Sequence, residues 1–267
     1  MKHETKSNPR RILHILMALC GVGVLYFAVT LLSDHWEYER GDAAYQQVRQ
    51  LRESSEPTAD HTHTPSKNPG EVSTGVKPKE LTDSVDFSAL KKINPDVVAW
   101  LTAEGTEIDY PVVLGTDNDY YLRHLFTGER NKLGAIFMDY RNDGDFSDKN
   151  TILYGHNMKD SSMFSSLTKY KEQGYYDSYP AMVLDTPNGN FKIELFAGIL
   201  VDGSQESIQF DFKDDQDFQN YTDSLKKAST FESHTVLNAD DHLITLCTCS
   251  YEFNNARYAL FGKLVPI

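Results

Sequence analysis

Cysteine is scarce in this chain, with three in 267 residues: Cys20, Cys247 and Cys249. Cys20 lies in an apolar run, so two remain for the rest of the chain and no disulfide framework is indicated. Basic side chains are outnumbered, 26 Lys and Arg against 39 Asp and Glu, for a net charge of -13. A surface of that sign argues against nucleic acid as a partner, because phosphate binding needs a basic patch. The sequence also lacks a Gly-rich phosphate loop, an internal repeat and a cluster of metal ligands. No cofactor and no metal are therefore expected. His61 and His63 have no third ligand nearby and read as solvated side chains.

What is present begins with one long apolar run, Ile12 to Leu32, whose only strongly polar side chain is His14. About 20 apolar residues cross a bilayer. The core of a cleaved signal peptide is shorter, about 7–15 residues, and ends in a small-x-small site; none follows Leu32. Lys2, Lys6, Arg10 and Arg11 precede the run, whereas Asp34, Glu37 and Glu39 follow it. The positive-inside rule then places residues 1–11 in the cytoplasm, 12–32 in the membrane and the remainder outside the cell. Residues 33–82 read as a stalk. Its first part, 35–52, is polar and compatible with a helix. From Glu53 to Lys79 the composition turns to Pro, Ser, Thr and Gly, which cannot bury a core. As a flexible tether that segment has a root-mean-square reach of about 30 Å.

Residues 83–267 carry the patterns of a globular domain. The 15 Tyr and 14 Phe favour strands. Asp86 caps a short helix through Lys92, and Asn94-Pro95-Asp96 starts a turn into Trp100 and Leu101. Strands are expected at Ile108–Val113, Gly134–Asp139, Thr151–Tyr154, Met182–Thr186, Phe191–Ile199, His242–Thr248 and Tyr258–Val265. Pro187-Asn188-Gly189-Asn190 is a hairpin signal. Asn118–Arg123 reads as a helical turn, and Ser161–Tyr170 as a helix that Gly174 stops. Residues 214–229 form an amphipathic helix with Phe218, Tyr221 and Leu225 on its apolar stripe. Short strands with inserted helices predict a mostly β fold, a closed or nearly closed β-barrel behind a single transmembrane helix.

The segment Leu243 to Val265 holds the chemistry. Cys249 falls where a strand meets the polar run Ser250–Asn255, a place where a thiol is reachable while its backbone stays rigid. A thiol with a pKa near 8.5 is only a few per cent thiolate at neutral pH, so it needs a base or a cation. Arg257 starts the returning strand and faces Cys249 if the two strands pair. His156, after Leu153-Tyr154-Gly155, is the best candidate base, although spacing cannot bring it to the thiol. Cys247 shares the strand face of Cys249 and reads as a small buried residue, since a bridge between them is strained. His124 and His234 read as surface or packing residues.

Several ordered motifs resemble the sortase family. Thr245-Leu246-Cys247-Thr248-Cys249 is similar to its TLxTC signature, and Arg257 follows as the family's arginine does. Tyr154-Gly155-His156 resembles its histidine strand end. Asn94-Pro95-Asp96 with Trp100, Tyr110-Pro111-Val112, Gly134 to Asp139 with Arg141-Asn142, and the helix before the last strand pair look like class B sortases. The resemblance implies a sortase β-barrel and a cysteine transpeptidase with His156, Cys249 and Arg257 as its catalytic residues. It further implies a substrate groove at Asn118, Leu122, Tyr154, Ile208, Cys247 and Thr248, with Cys247 standing where the class B form often has Ser. Its implied partners are secreted proteins with a C-terminal sorting motif, cleaved after Thr, and the amine of a lipid-linked peptidoglycan precursor in a Gram-positive cell wall. Two alternatives are a cell-wall cysteine peptidase and a non-enzymatic binding module on a tether.

Overall fold

Most strands of this chain are buried along nearly their whole length, and their pairs close on themselves. The computed structural model describes residues 9–53, 85–203, 208–249 and 255–267. Eight strands form a closed barrel in the order β1-β2-β3-β4-β7-β8-β6-β5. They are β1 (Val97–Thr102), β2 (Asp109–Leu114), β3 (Ile136–Met138), β4 (Asn150–Tyr154), β5 (Ala181–Thr186), β6 (Gly189–Asp202), β7 (Leu243–Cys249) and β8 (Ala256–Pro266). Closure leaves no unpaired edge.

Two pairings are parallel, β2 with β3 and β4 with β7; the others are antiparallel. Parallel neighbours end at the same rim of a barrel. The chain leaving β4 and the chain leaving β7 therefore emerge side by side, and β8 starts at that same rim because it runs back along β7.

The helices are α1 (Pro9–Glu53), α2 (Phe87–Ile93), α3 (Gln173–Ser178) and α4 (Asp215–Ala228). The Asp86 side chain caps α2 by accepting from Ala89 N (2.9 Å). Asp214 caps α4 in the same way through Asp217 N. Each cap contributes about 1 kcal/mol. Burial of Phe218 and Leu225 against Phe196, Leu243 and Phe261 contributes more, about 2 kcal/mol for each side chain. Packing rather than capping thus holds α4 on the barrel.

Three local expectations are corrected. Trp100 and Leu101 lie in strand β1, not in a turn begun by Asn94-Pro95-Asp96: both are fully buried, and β1 pairs with β2 and β5. The segment Ser161–Tyr170 is not one helix. Met163 has φ 55, and only Ser165–Lys171 is coiled, as a 3-10 helix. Gly174 stops nothing and lies inside α3. The polar run at Ser250 and most of the segment Glu53–Lys79 lie outside the described residues.

The chain divides into two units, Met1–Ala43 and Ala44–Ile267. In the first, α1 leaves Leu19, Val22, Leu25 and Phe27 exposed, which water disfavours along a continuous helix. Among the described residues, α1 is the one helix long and apolar enough to cross a membrane. Its last turns, from Ala44, belong to the barrel unit. There Tyr45 and Val48 are buried, and Arg52 Nη1 donates to Asp109 Oδ1 (2.8 Å) and to Thr102 Oγ1 (2.9 Å).

Candidate active site

The rim where β4 and β7 end opens into a cleft of about 430 Å³. All nine residues singled out in the sequence line it: Asn118, Leu122, Tyr154, His156, Ile208, Cys247, Thr248, Cys249 and Arg257.

Strand register explains why. Tyr154 sits beside Cys247 in the parallel pair, and the pairing runs on past the end of β4 through Gly155 N donating to Cys247 O (3.2 Å). Thr248 Oγ1 donates to Gly155 O (2.8 Å), and Asn157 Nδ2 to Cys249 O (2.9 Å). These bonds lock the backbone on either side of His156 to the backbone around Cys249. Across the antiparallel pair, Arg257 stands directly opposite Cys249. The thiol strand is thus flanked by the histidine segment on one side and by the arginine on the other. Gly155 is required by crowding: a Cβ there would stand 2.5 Å from Ile136 Cδ1 and 2.8 Å from the Phe164 ring.

The two thiols differ in kind. Cys249 is exposed, whereas Cys247 is 2% exposed, and both are free. Burial pushes the Cys247 thiol up to about 11, against the opposing effects of the Arg257 charge and its hydrogen bond to the thiol. The Arg257 stem lies across Gly203, in the space a Cβ would fill. Arg257 Nε is buried in the cleft wall, with no hydrogen-bond partner among the described residues. A buried donor left unmatched costs about 1–3 kcal/mol, and an oxygen arriving in the cleft would remove that cost.

His156 is oriented by the 3-10 turn Tyr120–Leu122: its Nε2 lies 2.7 Å from Leu122 O. A carbonyl oxygen only accepts, so the hydrogen of that bond is on Nε2. Nδ1 is then the nitrogen left for proton exchange.

A buried carboxylate that sequence reasoning passed over organises the opposite wall. Asp139 is fully buried and accepts from Arg141 Nε and Nη2 (2.9 Å each), Asn118 Nδ2 (2.9 Å) and Tyr154 OH (3.0 Å). Asn118 Oδ1 in turn accepts from Tyr140 N (3.1 Å), which fixes the orientation of the amide. Arg141 then stacks on Phe210, 4.0 Å from the ring centroid, and so braces the Ile208–Phe210 segment. Asn150 Nδ2 holds the same segment through Gln209 O (2.8 Å). The available signal was an acid closing an apolar strand with an arginine two residues on, Asp139-Tyr140-Arg141. Burial alone raises the Asp139 carboxyl, but its bonds from Arg141, Asn118 and Tyr154 hold it below the ordinary carboxylate value.

A depressed native pKa stabilises the fold at pH values above the unfolded pKa, and that stability is lost as pH falls through the native value. Asp139→Asn is therefore expected to cost about 2 kcal/mol at neutral pH. Its deficit against the parent should shrink below about pH 4. Urea midpoints measured at both pH values check this; a deficit independent of pH would contradict it.

Among the described residues no group of three or more His, Cys, Asp or Glu side chains is placed to hold a metal ion. The rim thus presents a reachable thiol, an imidazole and a guanidinium, a set suited to covalent acyl transfer.

Comparison with known proteins gives that set its context. The chain is 41% identical over 178 residues to sortase B of Listeria monocytogenes, covering 66% of this chain and 72% of that one. It is 34% identical over 183 residues to sortase B of Staphylococcus aureus, covering 68% and 75%. Among solved structures, sortase B of Bacillus anthracis in complex with AAEK1 aligns with a TM-score of 0.71 at 31% identity, over 87% of this chain and all of that one. The Staphylococcus aureus sortase B–substrate complex aligns at 0.65 with 34% identity, over 68% and 85%. No protein-family profile matches the chain. The fold is a sortase barrel, and the enzyme class is that of the cysteine transpeptidases. The chain belongs to the sortase B family.

Proposed function

We propose that this sortase is anchored by α1 and joins secreted proteins to the cell wall of a Gram-positive bacterium, with Cys249 as nucleophile. The observation that carries the reading is the flanking of Cys249 by Arg257 in register and by the His156 segment, all in one cleft. The Cys249 thiolate attacks the carbonyl carbon after Thr in a C-terminal sorting motif. The tetrahedral oxyanion and the substrate backbone take the Arg257 donors, of which Nε has no other partner among the described residues. The C–N bond breaks as His156 gives a proton to the departing amine, leaving a thioacyl on Cys249. An amine of the peptidoglycan precursor then attacks the thioacyl, His156 takes its proton, and the thiolate leaves. One difficult amide exchange becomes two easier steps.

Asn118, Leu122, Tyr154, Ile208, Cys247 and Thr248 form the groove for the motif. Tyr154 donates its hydroxyl hydrogen to Asp139, so it faces the groove as an acceptor. Asn118 is oriented at the groove because Asp139 and Tyr140 hold its amide. The basic residues before the apolar run and the acidic ones after it support an N-terminus in the cytoplasm and the barrel outside.

The test is a library of sorting peptides, with mass spectrometry of the protein and its products. The expected result is a thioacyl adduct on Cys249, discharged onto an added peptide amine in preference to water. Water as the sole acceptor would make the enzyme a peptidase, and no adduct with any peptide would leave a binding module.

A further inference from the structure

The C-terminal end of α1 is linked, through one intermediate segment each, to both groups that hold His156. Tyr45, 2% exposed, donates its hydroxyl to Gly134 O (2.7 Å) and accepts from Phe126 N (3.3 Å). One hydroxyl thereby staples two points of the 124–135 loop. That loop is bonded back onto the turn that orients the histidine: Ala135 N donates to Tyr121 O and Asn131 N to Arg123 O, both at 2.9 Å. The carbonyl between those two, Leu122 O, is the one that takes His156 Nε2.

A second contact reaches the histidine backbone. The Tyr45 ring meets Tyr110 edge-on, with centroids 5.1 Å apart, and the Arg49 guanidinium lies 4.8 Å from the Tyr110 ring. Tyr110 OH accepts from Met163 N (3.2 Å), and the next amide, Phe164 N, donates to His156 O (2.9 Å). Met163 has φ 55, a backbone state that ordinary side chains rarely adopt and that surrounding contacts must hold. The helix itself is pinned to the barrel, Arg49 Nε donating to Asp109 O (3.0 Å) and Arg52 to the Asp109 carboxylate, which also accepts from Trp100 Nε1 (2.7 Å).

We infer that the last turns of α1 are part of the catalytic apparatus, with Tyr45 as a positioning residue that sets the imidazole of His156 through the Leu122 carbonyl. The inference rests on the proposed role of His156. It separates the helix into two jobs, since the same element that carries the apolar run also ends in a brace for the proton-transfer group.

Tyr45→Phe, made in the full-length chain in detergent micelles, keeps the ring on Tyr110 and removes only the hydroxyl. The expected result is a five- to tenfold fall in kcat with KM for the peptide little changed, part of the roughly hundredfold that a 1 Å misplacement can cost. The limb of the pH–kcat profile that belongs to His156 should move as well. In nitrogen-15 spectra, the His156 Nε2–H resonance should lose its protection from exchange. Met182→Ala, in the buried core on β5, lowers the melting temperature without touching these contacts, and should leave the pH profile and the ring resonance in place. If Tyr45→Phe lowers the melting temperature but shifts neither readout, the brace is only structural and the inference fails. His156→Ala distinguishes the two levels: normal turnover there would overturn the role of His156 itself, whatever Tyr45→Phe does.

Discussion

Replacing Cys249 by Ala is expected to lower turnover of a sorting peptide by at least about 10⁴-fold, while Cys247→Ser keeps most of it. The two thiols sit on one face of β7, two residues apart, yet only one is usable. Cys249 ends the strand, is exposed and lines the cleft. Cys247 is 2% exposed, with its thiol pushed up to about 11, so at neutral pH it stays a thiol with little surface on the cleft. Its visible task is to receive the Arg257 guanidinium, and a serine hydroxyl of similar size also accepts that bond. In the proposed mechanism, loss of Cys249 removes the covalent step itself, so no neighbouring group compensates. Peptide cleavage and the mass of the acyl-enzyme, measured on both variants, decide the matter. Equal loss in the two would take the nucleophile away from Cys249.

Arg257→Lys is expected to cost about 10²-fold in kcat, the scale of removing one donor from an oxyanion site. Charge is kept, so a purely electrostatic role predicts little change. What is lost is the fork. The Arg257 charge acts on the Cys247 thiol, while Nε stays buried with no partner among the described residues. An ammonium is a single point charge and cannot occupy both places. The lysine would also need to lose more hydration to sit across Gly203. Steady-state kinetics on the full chain check this, and near-normal kcat would remove Arg257 from the chemistry.

Much of the barrel was legible because its strands are apolar runs and its punctuation is local. The hairpin at Asn188-Gly189, the capped and striped α4, and the C-terminal strand pair all rest on signals within a dozen residues. β1 was missed because its punctuation misleads. Asn94-Pro95-Asp96 is a true turn signal, but it ends where Val97 begins, and Val97–Thr102 is a strand of its own. The Ser161–Tyr170 segment has helical spacing, but the contacts of Met163 and Phe164 with the histidine loop override it.

The site was legible only as a set of residue types. Their assembly depends on the parallel pairing of β4 with β7, and no spacing rule reports a pairing between strands so distant in sequence. Asp139 was invisible for a related reason: its value lies in the donors that converge on it from three elements. The docked end of α1 was read as polar stalk because Tyr45, Arg49 and Arg52 find their partners only in the folded barrel.

Because β4 and β7 are ladder neighbours, the distance between the histidine segment and the thiol is a property of one register. Everything between them, from the loop after His156 through β5, β6 and α4, leaves the rim and returns to it. Two bonds tie the start of that excursion back to the rim, Asn157 Nδ2 to Cys249 O and Phe164 N to His156 O, and the parts beyond them can vary in length or surface. A slip of one residue in the ladder, by contrast, would turn one partner to the opposite face of the sheet. The register of one strand pairing thus decides which residues meet at the rim.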